Sequence, residues 1–465
     1  MTPVQTTFDR LHQASRRDPN PSLEVRRDRL TRLEAMVVAH RDDIVQAIAD
    51  DFSGRSRTES LSADVLLVLD GVREAKRHLA RWLEPRAARP HPFFLPARAS
   101  VSFQPKGVVG IIAPWNYPVN LALAPMVGAL AAGNRVLLKP SELTPATARL
   151  LSRMVAETFA GDEVAVVEGG VEVAREVSAL PFDHLLFTGS TSVGRQVARA
   201  AAENLVPCTL ELGGKSPALV HPDYPIEQAA ERIAVGKLFN AGQTCIAPDY
   251  ALVPRTKVRA FAEAFLAATA RLYPSHDGLT AIISERAKQR LEALVADAKD
   301  KGATVTVAPG NGSGRVMAPV VLREVRDDML AMQDEIFGPV LPVEGYDSMD
   351  EALARIAKRP RPLAAYLFDA DLDRARATLD RVVCGGACIN DTLVHFAQEQ
   401  LPFGGVGPSG MGAYHGETGF LTFSHQRSTL VASRVSAAKT FMTPPYGPLV
   451  DRALELLVRG LRPGR

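Results

Sequence analysis

Cysteine is scarce and no sign of charge dominates. The 465 residues hold four cysteines, Cys208, Cys245, Cys384 and Cys388. That is too few for a disulfide framework at this length, which points to a reducing compartment. Cys384 and Cys388 lie four apart, but no second Cys or His pair nearby completes a zinc set, so no metal is expected. Lys plus Arg is 54 against 52 acids. This balance gives no general field for gripping phosphate backbones, so nucleic acid is not an expected partner. No secretory signal is expected either, because MTPVQTTFDRLHQASRRD contains no apolar stretch after a basic start. The first sixty residues hold ten Arg and ten acids, unlike an acid-poor transit peptide. Nor is there an uninterrupted hydrophobic span. Residues 107–134 carry no charged side chain, but Pro114, Pro118, Pro125, Asn116 and Asn120 interrupt them. A buried strand, a functional loop and a packed helix are expected there, and the cytoplasm is the expected location.

What remains is an ordinary globular mixture, 46% hydrophobic and 23% charged, of a size that suggests an enzyme of two or more domains. The first hundred residues read as helices. Leu30, Leu33, Val37, Ile44 and Ile48 share one face, and Leu61, Val65, Leu69 and Val72 share another. Residues 85–98 (PRAARPHPFFLPAR) read as an extended connector. From 108 the apolar runs VVGII, RVLLK, VAVVE and HLLF alternate with helix-like segments, the signature of parallel strands in a doubly wound sheet. A second alternation follows: a helix from 284 to 300 stopped by Gly302, then TVTVA, LAAYLF, a helix over 371–381, and CIN. Two α/β domains meeting near 212 are expected. The tail segment LVDRALELLVRGLR is amphipathic, and docking on its own or a partner subunit is the expected use.

Three segments could carry chemistry. Phe239-Asn240-Ala241-Gly242-Gln243-Thr244-Cys245 places a cysteine after a small-residue loop, where a substrate can approach closely. Free cysteines are more often packing, however, and the segment alone leaves both readings open. Cys208 fits packing. Glu211, at the end of an apolar run and before Gly213-Gly214, is either a buried base or a solvated strand end. Phe187-Thr188-Gly189-Ser190-Thr191-Ser192-Val193-Gly194 follows a strand and opens a helix, a natural anion site that nevertheless lacks the GxGxxG spacing.

Seven ordered motifs, read together, resemble the aldehyde dehydrogenase superfamily: IIAPWNYP (111–118), LLKPSELTP (137–145), FTGSTSVG (187–194), LELGGKSP (210–217), FNAGQTC (239–245), EIFGPVLPV (335–343) and PFGGVGPSGMGAYHG (402–416). The short N-terminus, NDTLVHFAQEQLPFGGVG and FMTPPYG are similar to its class 3 branch, including bacterial members that act on coniferyl aldehyde. The resemblance implies a Rossmann-like dinucleotide-binding domain, a second α/β catalytic domain and a small oligomerisation element. Their expected bounds are 1–84 with 99–211, then 212–395, with 85–98 and 396–465 as bridging and oligomerisation segments and tail.

It also implies roles. Cys245 is the nucleophile, Asn116 an oxyanion donor with the Cys245 backbone N–H, and Glu211 the base for the water that releases the acid. Lys139 and Glu142 hold the adenosine ribose, Gly189, Ser190, Val193 and Gly194 the pyrophosphate, Glu335 and Phe337 the nicotinamide end. The cofactor is NAD, favoured by the carboxylate of Glu142, with NADP as the alternative. Tyr117, Thr244, Ile246, His395 and Phe396 are expected along the substrate tunnel. The substrate is an aromatic aldehyde such as coniferyl aldehyde, or a long apolar one, and class 3 likeness implies a homodimer. The rivals are an aliphatic aldehyde dehydrogenase, an acyl-CoA-forming relative, a cofactor-free cysteine hydrolase and a non-catalytic scaffold. Glu211 argues against the second, the 187–194 turn against the third, and the intact Cys245, Glu211, Asn116 and Lys139 against the last.

Overall fold

The computed structural model describes residues 2–276, 278–310 and 314–460. Strands β1 (Arg86–Ala88) and β2 (Arg98–Pro105) precede a first alternating run: β3 (Val108–Ile112), β4 (Arg135–Lys139), β5 (Val164–Val166), β6 (His184–Gly189) and β7 (Cys208–Leu212). A second run follows with β8 (Pro217–Val220), β9 (Tyr250–Pro254), β10 (Thr304–Val307), β11 (Val320–Arg323), β12 (Val340–Tyr346), β13 (Ala364–Phe368) and β14 (Gly386–Ile389). The last two are β15 (Gly410–Met411) and β16 (Ser424–Val431).

The first sheet has the order β15-β7-β6-β3-β4-β5, parallel except for β15. The chain winds from β3 outward through β4 and β5, then returns to the other side of β3 with β6 and β7. A crevice opens at such a reversal, beyond the carboxyl ends of β3 and β6, and it is where doubly wound sheets bind nucleotides. The second sheet has the order β10-β11-β12-β9-β8-β13-β14, parallel except for β10. The mixed α/β architecture expected from the alternating runs is therefore present. Residues 107–134 divide into the fully buried β3, a loop, and the nearly fully buried helix Asn120–Ala131. Burial on all sides explains their lack of charge.

Of the N-terminal helices, Leu23–Ala39 and Leu67–Leu83 pack on Asn120–Ala131, and Arg41–Phe52 packs on the helix Pro145–Thr158. Leu30, Leu33, Val37, Ile44 and Ile48 are all buried, but on two helices, Leu23–Ala39 and Arg41–Phe52, divided at His40. The second apolar face begins in a π-helical turn, Leu61–Leu66, before the α-helix Leu67–Leu83. Such wide turns are rare and often sit at functional sites.

Beside the two large sheets, β2 pairs with β1 and β16 in a three-stranded antiparallel sheet. The tail segment forms the helix Pro448–Gly460, which has no buried residue, so it is not docked on its own chain. No described helix is long and apolar enough to cross a membrane.

Candidate active site

Cys245 follows a backbone run that few sequences adopt. After the helix Ile226–Leu238 the chain turns through Asn240 (φ 51°), Ala241 (φ 52°) and Gly242 (φ 75°), all in the left-handed region. Gly242 is required twice, since a Cβ there would also collide with the carbonyl oxygen of Gly338. Gln243 locks the turn: its Nε2 donates to the carbonyls of Asn240 and Ala281, and its Oε1 accepts from the Ile283 N–H. The turn delivers the Cys245 thiol to the meeting point of two spaces. One is a cavity of about 330 Å³ lined by apolar groups that include Leu67, Leu121, Val235, Phe239, Ile246 and Leu393. The other is a crevice of about 640 Å³ lined by Asn116, Glu211, Glu335, Phe337 and the turn 188–192. Cys245 borders both.

Asn116 lies in the loop after β3, and its Nδ2 donates to the Gln243 carbonyl (3.1 Å), two residues before Cys245. A carboxamide nitrogen carries two hydrogens, so one remains for an oxygen held above the thiol. Glu211 is carried on β7, between Thr188 of β6 and Gly410 of β15. Both its carboxyl oxygens are buried without a partner, and burial raises its pKa well above the ordinary carboxylate range. Burial also raises the Cys245 thiol, helped by Glu335 and Glu211. The thiol's contacts with the Cys245 and Ile246 backbone N–H groups oppose this without reversing it. With no cation among these causes, the thiol is neutral at rest. Glu335 is pushed up to about 8, by burial first and then by Asp249, and its Oε1 is also unpartnered.

The crevice continues into a space of about 400 Å³ at the carboxyl ends of β3, β4 and β6, lined by Lys139, Glu142, Gly189, Ser190 and Val193. Lys139 Nζ donates to Glu142 Oε2 at 2.7 Å. Burial raises the Glu142 carboxyl, but the Lys139 hydrogen bond and charge bring it below its ordinary value, so it is anionic. Ser190 caps the helix Thr191–Ala202, whose open N-terminus faces the crevice. Gly194 does not line either space; it keeps the helix close to β7, where a Cβ would lie 2.6 Å from Leu212 Cδ2. These residues fit a dinucleotide. An anion site lies in the middle, an anionic carboxylate beside a lysine lies at one end, and the unpartnered Glu335 Oε1 and Thr188 Oγ1 lie at the other.

Of the residues expected along a substrate tunnel, Tyr117, Thr244, Ile246 and Phe396 line the apolar cavity. The Tyr117 hydroxyl lies 2.5 Å from Thr244 Oγ1. His395 is not among the lining residues: Val394 and Phe396 face the cavity, and its ring packs edge-on to Tyr366, 5.9 Å away. Local sequence reading missed Tyr414, inside the 402–416 motif. Its buried hydroxyl has no partner and is raised by burial, then by Glu211 and Cys245. It also missed Arg55, Glu59 and Asp64, whose acids look like the polar face of an exposed helix. No described group of His, Cys, Asp and Glu could hold a metal.

The sequence model of the aldehyde dehydrogenase family matches residues 4–429. A probable coniferyl aldehyde dehydrogenase of Pseudomonas aeruginosa is 47% identical over 460 residues, which is 98% of this chain and 96% of that protein. A coniferyl aldehyde dehydrogenase of a Pseudomonas species is 42% identical over 462 residues, 97% of this chain and 96% of that protein. Among solved structures, the substrate-bound state of Staphylococcus aureus AldH superposes with a TM-score of 0.92 at 35% identity, covering 98% of this chain and 100% of the other. A Mycobacterium tuberculosis aldehyde dehydrogenase complexed with NAD+ gives 0.84 at 29% identity, covering 93% and 91%.

Proposed function

Because this chain belongs to the aldehyde dehydrogenase family, we propose that Cys245 is its nucleophile and that its substrate is an aromatic aldehyde of the coniferyl type. It is an NAD(P)-dependent enzyme that oxidises aldehydes to carboxylic acids. One observation carries the assignment of residues: among those described, Cys245 is the one nucleophilic side chain that borders both the apolar cavity and the crevice, and it lies near the buried, unpartnered carboxyl of Glu211.

In this reading the aldehyde enters the apolar cavity and its carbonyl carbon meets the Cys245 sulfur. As the S–C bond forms, the thiol proton passes to water in the crevice and charge gathers on the carbonyl oxygen. Asn116 Nδ2 and the Cys245 backbone N–H receive that charge; one such donor is worth roughly 2.7–4 kcal/mol in the transition state. A nicotinamide held in the crevice by Glu335 and Phe337 would supply the acceptor for the hydride of the same carbon. The product on the protein is a Cys245 acyl-thioester. Glu211 then takes a proton from water, the hydroxyl adds to the acyl carbon, and the C–S bond breaks to give the acid and the free thiol.

Lys139 and Glu142 hold the adenosine ribose in this assignment, Gly189, Ser190 and Val193 flank the pyrophosphate, with Gly194 supporting their turn, and Glu335 with Phe337 holds the nicotinamide ribose and ring. The exposed Leu430 and Val431 on the edge strand β16 support a homodimer, because an unpaired apolar edge favours pairing. Four free cysteines support a cytoplasmic location. The two large sheets support the division near 212, with 85–98 and 396–465 as bridging segments.

A substrate panel read by reduced-nicotinamide absorbance tests the substrate assignment. Coniferyl aldehyde is expected to exceed acetaldehyde in kcat/KM by at least about 10-fold, since each methylene in an apolar pocket adds about 1–3 kcal/mol of discrimination. A preference for acetaldehyde would contradict it, and a preference for long aliphatic aldehydes would move the assignment to a fatty aldehyde.

A preference for NAD over NADP is also expected. The anionic Glu142 suits a ribose 2′-hydroxyl and repels a 2′-phosphate. Glu142→Gln removes that repulsion and leaves Lys139 free, so the ratio of kcat/KM for NAD to that for NADP should fall by about 10-fold, the size of a surface charge effect of 1 pKa unit. Equal use of both cofactors by the native enzyme would count against this role.

A further inference from the structure

The loops carrying Asn116 and Cys245 are held together by three side chains of the N-terminal cover that line neither space. Arg55 lies just before the helical cover of residues 57–83, and its guanidinium is fully buried. Its Nη1 donates to the Asn116 carbonyl at 3.1 Å and lies 3.1 Å from Asp64 Oδ2, while its Cζ sits 4.7 Å from the centre of the Tyr117 ring. Asp64 is in the π-helical turn, and its Oδ1 accepts from the backbone N–H groups of Val119 and Asn120, both at 3.1 Å. The two residues thus fix both ends of the segment 116–120. Glu59 does the corresponding work on the cysteine side. Its Oε2 accepts from the Asn240 N–H (3.2 Å) and from Thr280 Oγ1 (3.0 Å), at the first left-handed residue of the strained turn. The side chain of Asn240 closes the circuit, donating to the carbonyls of Asn116 and Gln243.

A cluster of this kind is a poor way to stabilise a fold. Buried charges lose hydration that their mutual attraction seldom repays, and apolar replacements of similar volume are often neutral or stabilising. Arg55 Nε and Nη2 are buried without hydrogen bonds, so the cluster is not even fully satisfied. What it does supply is fixed geometry. Left-handed backbone at Asn240 and Ala241 persists only where surroundings over-determine it, and Asp64 lies on the buried face of its helical turn. A donor to a developing oxyanion is effective only within a few tenths of an ångström of its place.

We propose that Arg55, Asp64 and Glu59 are positioning residues that hold Asn116 and Cys245 in register as a single oxyanion site, so that carbonyl addition depends on a buried charge cluster in the N-terminal cover. The proposal rests on the assignment of Asn116 to that site.

The test is a double-mutant cycle on the first turnover, measured as reduced nicotinamide formed after rapid mixing with saturating aldehyde and NAD. Asp64→Asn and the paired apolar replacement Arg55→Met/Asp64→Leu are each compared in the native and the Asn116→Ala background. In the native background both should slow the first turnover by about 10- to 100-fold, with NAD affinity unchanged. The paired replacement leaves the Val119 and Asn120 N–H groups without partners and Glu59 without its cation, and should lower the melting temperature, so the readout that separates positioning from a structural role is the Asn116→Ala background. In the Asn116→Ala background the same changes should cost less than about 3-fold, because the donor they position is gone. Should Asp64→Asn fail to fold, Arg55→Lys, which keeps the charge but loses the planar fork, serves the same comparison. Equal losses in both backgrounds, or a native first-turnover rate in the variants, would overturn the proposal. If Asn116→Ala by itself leaves the first turnover at the native rate, the assignment of Asn116 falls and the proposal with it.

Discussion

Replacing Cys245 with alanine is expected to abolish aldehyde oxidation while leaving NAD affinity within a few fold. In the proposed mechanism this thiol forms the covalent bond, and no other cysteine lines either space that meets at this position. Loss of a nucleophile from a covalent mechanism costs on the order of 10⁴–10⁶-fold, because the oxyanion donors and the binding site are left with nothing to act on. In the proposed assignment the cofactor is held elsewhere, by Lys139 and Glu142 at the end of β4, by the Ser190 turn after β6 and by Glu335 before β12, all of which line the crevice and its continuation. Calorimetric titration of the variant with NAD, beside an absorbance assay with aldehyde, separates the two effects. Substantial turnover by Cys245→Ala would remove the covalent mechanism.

Glu211→Gln should divide the reaction in two. The amide keeps the shape of the carboxyl but cannot take a proton, so the water step loses its base, a loss typically worth 10²–10⁴-fold in that step. Formation of the thioester needs no water. The first equivalent of reduced cofactor should therefore appear at a rate much nearer native than steady-state turnover, and hydrolysis should become limiting. Folding should not suffer. Both oxygens of Glu211 are buried without partners, and a neutral amide is easier to bury than a carboxyl that must ionise. If the burst falls in proportion to turnover, Glu211 acts earlier, in taking the proton of Cys245.

The sequence announces what is local and conceals what is assembled across the chain. VVGII, RVLLK and LAAYLF are legible as strands because parallel strands buried on both faces read as unbroken apolar runs. Their alternation with helices carries the sheet class, and the strand-glycine-helix order at 187–194 carries the anion site. The antiparallel pairings are not legible. β15 joins β7, and β16 joins β2, across long stretches of intervening chain, and no turn signal links them. His395 is misread because residues 391–400 form a succession of turns, in which no regular period assigns sides to neighbours. Arg55, Glu59 and Asp64 sit among charged residues that look solvated. Asp64 shares the buried face of Val68 and Val72 at four-residue steps, but a carboxylate there is not counted in the apolar spacing. The single apolar face over 30–48 hides a break at His40 for a related reason: both helices bury the same side, so the pattern runs through the joint.

The most direct measurement is rapid quenching of Glu211→Gln after it meets coniferyl aldehyde and NAD, followed by mass spectrometry of its peptides. If Cys245 holds the acyl group while Glu211 releases it, reduced cofactor forms in a burst near one equivalent per active site, and the peptide containing Cys245 carries the acyl mass. An unmodified Cys245 peptide, with acid and reduced cofactor appearing together from the first turnover, would contradict it.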